Sequence, residues 1–462
     1  MHRTLTLSPL FLASAVALAA DAVPSGNVRI EPLGEFIHEI NLPGERRSDD
    51  VVPGQTACLR VSQDRWLVLC NTRGFRGVDD ERSVVYQLRS GGPDGTLLKE
   101  GFLSRAIEDW DPLGRGEKRI RQHGHVVGYG VPKGAFIDGR EALNANLFVV
   151  HWRVVGIPYD AARKQIARTT KEDREESAGV EWVQFRLNDQ ESDIEILQAP
   201  TRLRQVGFAS GAKFCDLDIA SMNQSFVPPI PANAACTEWF CCNHFDGDRI
   251  AILKLSFDPE SRRYRWTANG PLAGGKDAPI FEGNIVRAGD EWIISARSRI
   301  RGTAWTRTTD PMTSLPTPKV GKEPPSNSPI ETYRCADGVL RLFTGDPEAS
   351  PYKRGRDPLY VWDVNPRDFA CTQRRVIFDT VEAKMPFRKE AQAKVDFATL
   401  FPAQGSTQIV SYRVNVRSNN FGYPGRTDIP QITAEEKAKC GAYFTKMHYP
   451  DVRLEPWTFQ AK

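Results

Sequence analysis

Three of the chain's seven histidines, His123, His125 and His151, fall in two neighbouring stretches, Arg121 to Tyr129 and Leu147 to Val155. Both read as strands, the second being rich in β-branched and aromatic residues. In an extended backbone alternate residues share a face, so His123 and His125 are expected to project the same way. The turn-forming residues between the stretches (Pro132-Lys133-Gly134, Asp138-Gly139-Arg140 and Asn144) fold one strand onto the other and bring His151 near the pair. Three imidazoles so placed suit proton transfer near neutral pH, or a metal. The competing reading is three separately hydrogen-bonded sheet residues.

Two further stretches carry chemistry. The loop Arg76-Gly77-Val78-Asp79-Asp80-Glu81-Arg82 gathers three carboxylates, and glycosidic hydrolysis needs carboxyl groups on either side of the scissile bond. Its plain alternative is a solvated acidic turn. The segment from Met222 to Asp248 is rich in amides and aromatics. Trp239, Phe240 and Phe245 suit stacking on sugar rings, and Asn223, Asn243 and Asp246 suit hydroxyls, with Glu238 and His244 alongside. The alternative is a packed loop between structural units. Arginine is locally dense at Arg73, Arg76 and Arg82, at Arg297, Arg299 and Arg301, and at Arg354 and Arg356. Guanidinium forks recognise carboxylate or sulfate, although loop arginines also serve as solvated charge.

These residues need a frame. Residues 1–20 read as a secretory signal peptide, with His2 and Arg3 before an apolar stretch and Ala17-Leu18-Ala19 as a cleavage site. The expectation is an exported, secreted or periplasmic, soluble protein with residues 21–462 as a single domain. The balance of 61 basic and 58 acidic residues argues against a nucleic-acid binder, and no later stretch is long and apolar enough for a membrane helix. Nine cysteines in an exported chain predict some disulfides, with at least one thiol left over. A hairpin pairing Ala57 with Cys70 puts Cys58 and Cys70 on opposite faces, which disfavours that bridge. Cys236, Cys241, Cys242 and His244 match no standard zinc spacing, so neither a metal nor a cofactor is expected, and disulfide or buried thiols remain open.

Short β runs recur throughout, punctuated by Gly, Pro, Asp and Asn. Helix is expected only at Tyr159–Glu176 and Thr433–Phe444, the latter opened by a capping box of Thr433 and Glu436. A loose repeat runs through the chain. Arg65 to Arg73 resembles Glu291 to Arg297, Ser83 to Arg89 resembles Thr303 to Thr308, and Val339 to Phe343 with Pro358 to Val364 forms a third copy. All-strand recurrence at such spacing predicts an all-β fold, a β-propeller of about six blades with minor helical insertions. Val28–Ile40 is expected to help close the last blade.

This layout resembles the sialidase-like β-propellers in blade style, although the Asp-box Ser-x-Asp-x-Gly-x-x-Trp is absent. The resemblance implies a site on the propeller axis, where three arginines hold a substrate carboxylate, an Asp serves as acid/base, and a Tyr paired with a Glu is the nucleophile. On that plan Arg73 or Arg76, Arg297 and Arg354 supply the arginines, Asp79 or Asp80 the acid, Glu238 the glutamate, and Tyr412 or Tyr423 the tyrosine. The histidines fit better with the propeller-type polysaccharide (ulvan-type) lyases, which the chain resembles in fold and residue type. There His and Tyr move protons while an Arg neutralises a uronate, here Arg73 or Arg153 with Tyr129. The expected function is cleavage of an acidic poly- or oligosaccharide, by hydrolysis or elimination. The alternative is a propeller that binds glycan or protein without turnover.

Overall fold

The computed structural model describes residues 27–36, 40–45, 51–75, 80–112, 114–162, 164–166, 178–203, 208–213, 227–245, 247–300, 302–321, 324, 328–352, 355–417, 430–454 and 457–460. Among the described residues six main sheets follow one another along the chain, antiparallel apart from one parallel pairing of Phe208–Lys213 with Arg263–Asn269, and a seventh, small sheet lies outside that series. The first is Val52–Arg60, Arg65–Arg73, Glu81–Ser90 and Thr96–Ser104. The second is built on Arg119–Val131, Leu147–Pro158, Ala178–Leu187 and Ile194–Arg202, with Ile107–Trp110 beside its first strand. The third is built on Glu238–Phe245, Arg249–Asp258 and Arg263–Asn269. The fourth is Ile280–Ala288, Glu291–Ser298, Thr303–Thr308 and Lys319–Val320. The fifth is Ile330–Arg334, Leu340–Gly345, Leu359–Val364 and Cys371–Phe378. The sixth joins Ala393–Leu400, Thr407–Val416 and Gly441–His448 to the N-terminal strand Arg29–Phe36.

Each sheet packs on the next, and the first also packs on the sixth, so the ring closes. The expected closing role of the N-terminal run is met by Arg29–Phe36 as outer strand of the sixth sheet. The fold is a β-propeller. The three sequence repeats are equivalent pieces: each supplies the second and third strands of its sheet, in the first, fourth and fifth sheets.

Packing explains why these strands read as nearly continuous apolar runs. Both faces of a sheet are covered by neighbours. In Leu147–Pro158, Phe148, Val150 and Trp152 join the core shared with the first sheet, while Leu147 and Val149 join the core shared with the third.

Three expectations need correction. The first hairpin pairs Thr56, not Ala57, with Cys70, so Cys58 and Cys70 share one apolar cluster. Both nevertheless remain thiols, as do all eight described cysteines, seven of them buried. The second concerns the helix opened by Thr433, whose capping box is present: it spans only Ala434–Ala438. Beyond it Gly441–His448 pairs with Thr407–Val416, so sheet formation overrides helical propensity. In the third, Tyr159 and Gln165 form an isolated bridge rather than a helical turn, and the remainder of that expected helix from 167 onward lies outside the described residues.

The C-terminal segment crosses the ring. Arg453 and Leu454 donate backbone hydrogen bonds to Ala336 in a hairpin of the fifth sheet. Thr458–Phe459 then pair with Ala135–Ile137, which lies in the connection between the first two strands of the second sheet. Arg60 of the first sheet stacks on Phe459 at 4.7 Å. The fifth and second sheets stand opposite each other, so this strap passes over one face. Among the described residues no helix is long and apolar enough to cross a membrane.

Candidate functional site

The other face holds the site. There the innermost strands begin and the second strands end. Four innermost strands carry one extra residue against their neighbour at this level: Val52–Arg60, Arg119–Val131, Ile280–Ala288 and Ala393–Leu400. A β-bulge of this kind bends the strand and re-aims a side chain. In three of the four the bulge holds a non-glycine residue in the left-handed region: His125 (φ 55°), Glu282 (φ 53°) and Phe397 (φ 58°). Such strain persists only where the surroundings impose it, and it concentrates at functional sites.

The same three sheets, the second, fourth and sixth, place an arginine opposite the residue just before the bulge. Arg153 stands opposite Gly124, Arg297 opposite Phe281, and Arg413 opposite Asp396. Alternate sheets therefore repeat one device around the axis. Arg413 lies 2.9 Å from Asp396 and 3.8 Å from Glu81, and its guanidinium covers Phe397 at 4.2 Å. Arg297 lies 2.9 Å from Glu282 and stacks on Phe281 at 4.8 Å. Gly124 is required where it stands, because a β-carbon there would fall 1.7 Å from Glu81 Oε2.

More polar groups converge on this level. Arg356 pairs through its backbone with Lys394, which seats its guanidinium 2.7 Å from Asp396. Arg73 Nε donates to Asn415 Oδ1 at 3.0 Å, and Gln122 Nε2 to Asp80 Oδ1 at 3.1 Å. The His125 ring contacts Phe397 at 4.8 Å. His244 lies against Phe281 at 6.3 Å, and burial lowers its pKa to about 4.

Two buried carboxyls at this level are driven apart. Glu331, on the innermost strand of the fifth sheet, is 1% exposed. Burial, then the charges of Asp396 and Glu282, push its pKa well above the usual carboxylate range. Asp396 is equally buried, yet Arg413, Arg356 and Lys394 more than offset that burial and hold it ionised far into acid. Burial thus favours the neutral form of one carboxyl while arginines favour the charged form of its neighbour, an opposition that can set acid and base roles apart.

Of the residues singled out from sequence, Arg73, Asp80, His125, His244 and Arg297 reach this face. His123 and His151 do not. His123 is fully buried, with Nε2 2.9 Å from Ser104 Oγ and Nδ1 2.7 Å from the Arg82 carbonyl. His151 is buried among Tyr129 and Trp266 toward the third sheet. Burial lowers both pKa values to about 3. The three imidazoles therefore part company, because the bulge at His125 turns it away from the face His123 occupies. Glu238 lies at the other end of its strand from His244, roughly 20 Å away at the rise of a strand, and pairs with Lys254 at 3.0 Å. Trp239 is a core residue whose indole donates to the Cys236 carbonyl and the Tyr264 hydroxyl. Tyr412 is buried in the sixth sheet, bonded to Thr445. Cys241 and Cys242 point into different cores. Arg76, Asp79, Asn223, Arg354 and Tyr423 lie outside the described residues.

Sequence reasoning missed Arg153 as one of a set, and missed Glu282, Glu331, Asp396 and Arg413 altogether. A signal for the last three was present. Each is a lone charge inside a strand-forming run (Ile330-Glu331-Thr332-Tyr333, Val395-Asp396-Phe397, Tyr412-Arg413-Val414), and buried charge is the informative exception in a core.

No family model and no curated protein matches the chain. Solved structures do. Trypanosoma rangeli sialidase is 8% identical with a TM-score of 0.53, the match covering 92% of this chain and 60% of that one. A protein of unknown function from Dyadobacter fermentans is 10% identical with a TM-score of 0.52, over 91% of this chain and 99% of its own. The NanB sialidase from Streptococcus pneumoniae is 8% identical with a TM-score of 0.51, over 90% and 70%. The chain thus spans 60% of the length of the first of these sialidases. Ring closure, strand order and these likenesses together make the fold that of a sialidase-like β-propeller.

Proposed function

We propose that the chain is an exported glycan hydrolase that cleaves an acidic poly- or oligosaccharide at this mouth. Export rests on the leader-like residues 1–20, which lie outside the described part of the chain. The reading of chemistry rests on one arrangement, the buried Glu331, pushed toward its neutral form by burial and by the charge of Asp396, beside an Asp396 that Arg413 and Arg356 hold charged. Glycosidic hydrolysis requires a carboxyl group that gives a proton to the leaving oxygen and a second that is charged. In this reading Glu331 is the proton donor. Glu282, whose side chain is 14% exposed and held by Arg297, is the second carboxyl. Asp396, taken up by Arg356 and Arg413, is a positioning residue that keeps the proton on Glu331. Elimination by imidazoles has less support, since His123 and His151 are locked in the packing.

The test is release of new reducing ends from a panel of acidic glycans. Wild type is expected to turn over at least one of them, with Glu331→Gln and Glu282→Gln slower by about 100-fold or more. A product absorbing in the ultraviolet as an unsaturated uronate would select elimination instead. Affinity without turnover in every case would make the chain a binding propeller.

A further inference from the structure

The three equivalent arginines differ in their surroundings. Arg297 is held by Glu282, and Arg413 by Asp396 and Glu81. The additional Arg356 is held by Asp396. Each of these charges is already balanced from within, so an incoming sugar carboxylate would have to displace a protein carboxylate to reach them. Arg153 stands apart. No carboxylate of the described residues lies within ion-pair distance of it, and its Nε is buried without a hydrogen bond. The side chain as a whole is only half-buried. Along its strand Arg153 shares a face with Leu147 and Val149, which pack toward the third sheet. His244 ends the facing strand there, its Nδ1 also buried without a partner and within reach of Arg153's charge. A buried donor left unpaired is costly, and a ligand oxyanion would relieve that cost.

We propose that anion recognition in this cleft rests on Arg153, off the axis between the second and third sheets, as the one of the three equivalent arginines of the described residues that no internal carboxylate holds. The ligand class is a sugar bearing a single carboxylate or sulfate. The proposal deepens the hydrolase reading and takes from it that the ligand is a sugar. It departs from what the sialidase resemblance implies for Arg297, which Glu282 already holds.

The experiment titrates the full chain with glucuronate, glucose sulfate and glucose, followed by calorimetry, in wild type, Arg153→Gln and the rim control Arg307→Gln. Both charged sugars are expected to bind wild type, with glucose weaker by about tenfold or more and the charged sugars losing about tenfold in Arg153→Gln. Arg307→Gln should match wild type. Binding of only one charged sugar would identify carboxylate or sulfate and uphold the proposal. Equal affinity for glucose, undiminished binding in Arg153→Gln, or no binding to wild type would overturn it. If Arg153→Gln does not fold, modification of wild type with phenylglyoxal, read by peptide mass, replaces it. Charged sugar should protect Arg153, and absence of protection would overturn the proposal. Arg153-dependent binding without any glycan cleavage would sink the hydrolase reading alone, whereas cleavage unaffected in Arg153→Gln would sink the proposal alone.

Discussion

Asp396 and Arg413 face each other across the ladder of the sixth sheet, and their side chains meet at 2.9 Å. The same carboxylate also holds Arg356, which belongs to a loop of the fifth sheet, at 2.7 Å. One buried anion thus ties two sheets together at the mouth. Asp396→Asn leaves two largely buried guanidiniums without that charge and is expected to cost about 3–5 kcal/mol of stability, measured by urea unfolding. The folded pKa of Asp396 is depressed, so its contribution is present above the unfolded value of 3.8 and lost as pH falls through the folded one. The difference between wild type and variant should therefore hold from neutral pH down to about pH 4 and shrink only below it.

Glu331 behaves in the opposite sense. Its folded pKa is raised above the ordinary 4.5, so the folded state binds the proton more tightly and loses stability as pH rises from there toward the folded pKa. Glu331→Gln removes that loss. The variant should match wild type near pH 4 and unfold at a higher temperature than wild type at pH 7. Equal melting temperatures at both pH values would show that Glu331 is not held as a neutral acid.

Gly124→Ala puts a methyl group into the space of the Glu81 carboxylate. Glu81 must then leave Arg413, and overpacking of this kind costs about 1–3 kcal/mol. Gly128, on the same strand, tests the contrast. Its missing β-carbon would meet Leu69 and Leu59 side chains at 2.8 and 3.1 Å, which are apolar and lie away from the charges. Both glycine variants should lower the thermal midpoint, but only Gly124→Ala should also weaken glycan turnover.

His123 and His151 are expected to stay neutral through the physiological range. Both have pKa values lowered to about 3 by burial, so their imidazole resonances should not titrate between pH 5 and 8. Their folded values lie below the unfolded 6.5, so the stability they contribute is present above pH 6.5 and is lost as pH falls toward 3. A midpoint near 6 for either ring in nuclear magnetic resonance would refute this placement.

The fold was legible because packing on both faces leaves a plain imprint. Trp66 to Cys70, Trp292 to Ala296 and Leu340 to Phe343 are all second strands, and the first two read as nearly apolar runs ending near an arginine. What the sequence concealed was register. An extra residue at His125, at Glu282 and at Phe397 changes which side chains meet, and nothing in those residue types announces a left-handed backbone. The same shift by one residue moved Cys58 and Cys70 onto one face. Arg73, Asp80 and Arg297 could be found because they end or begin strands, where polar residues draw notice. Glu331 and Asp396 sit inside strands, and their meeting depends on how two consecutive sheets pack.

The strap anchored at Ala336 and at Ala135–Ile137 makes the two faces of the ring unequal. On the side away from the buried charges, the chain's own tail is bonded to the fifth sheet at one end and to the second at the other. Two sheets that share no strand are thereby tethered to each other, so loosening of either is felt by both.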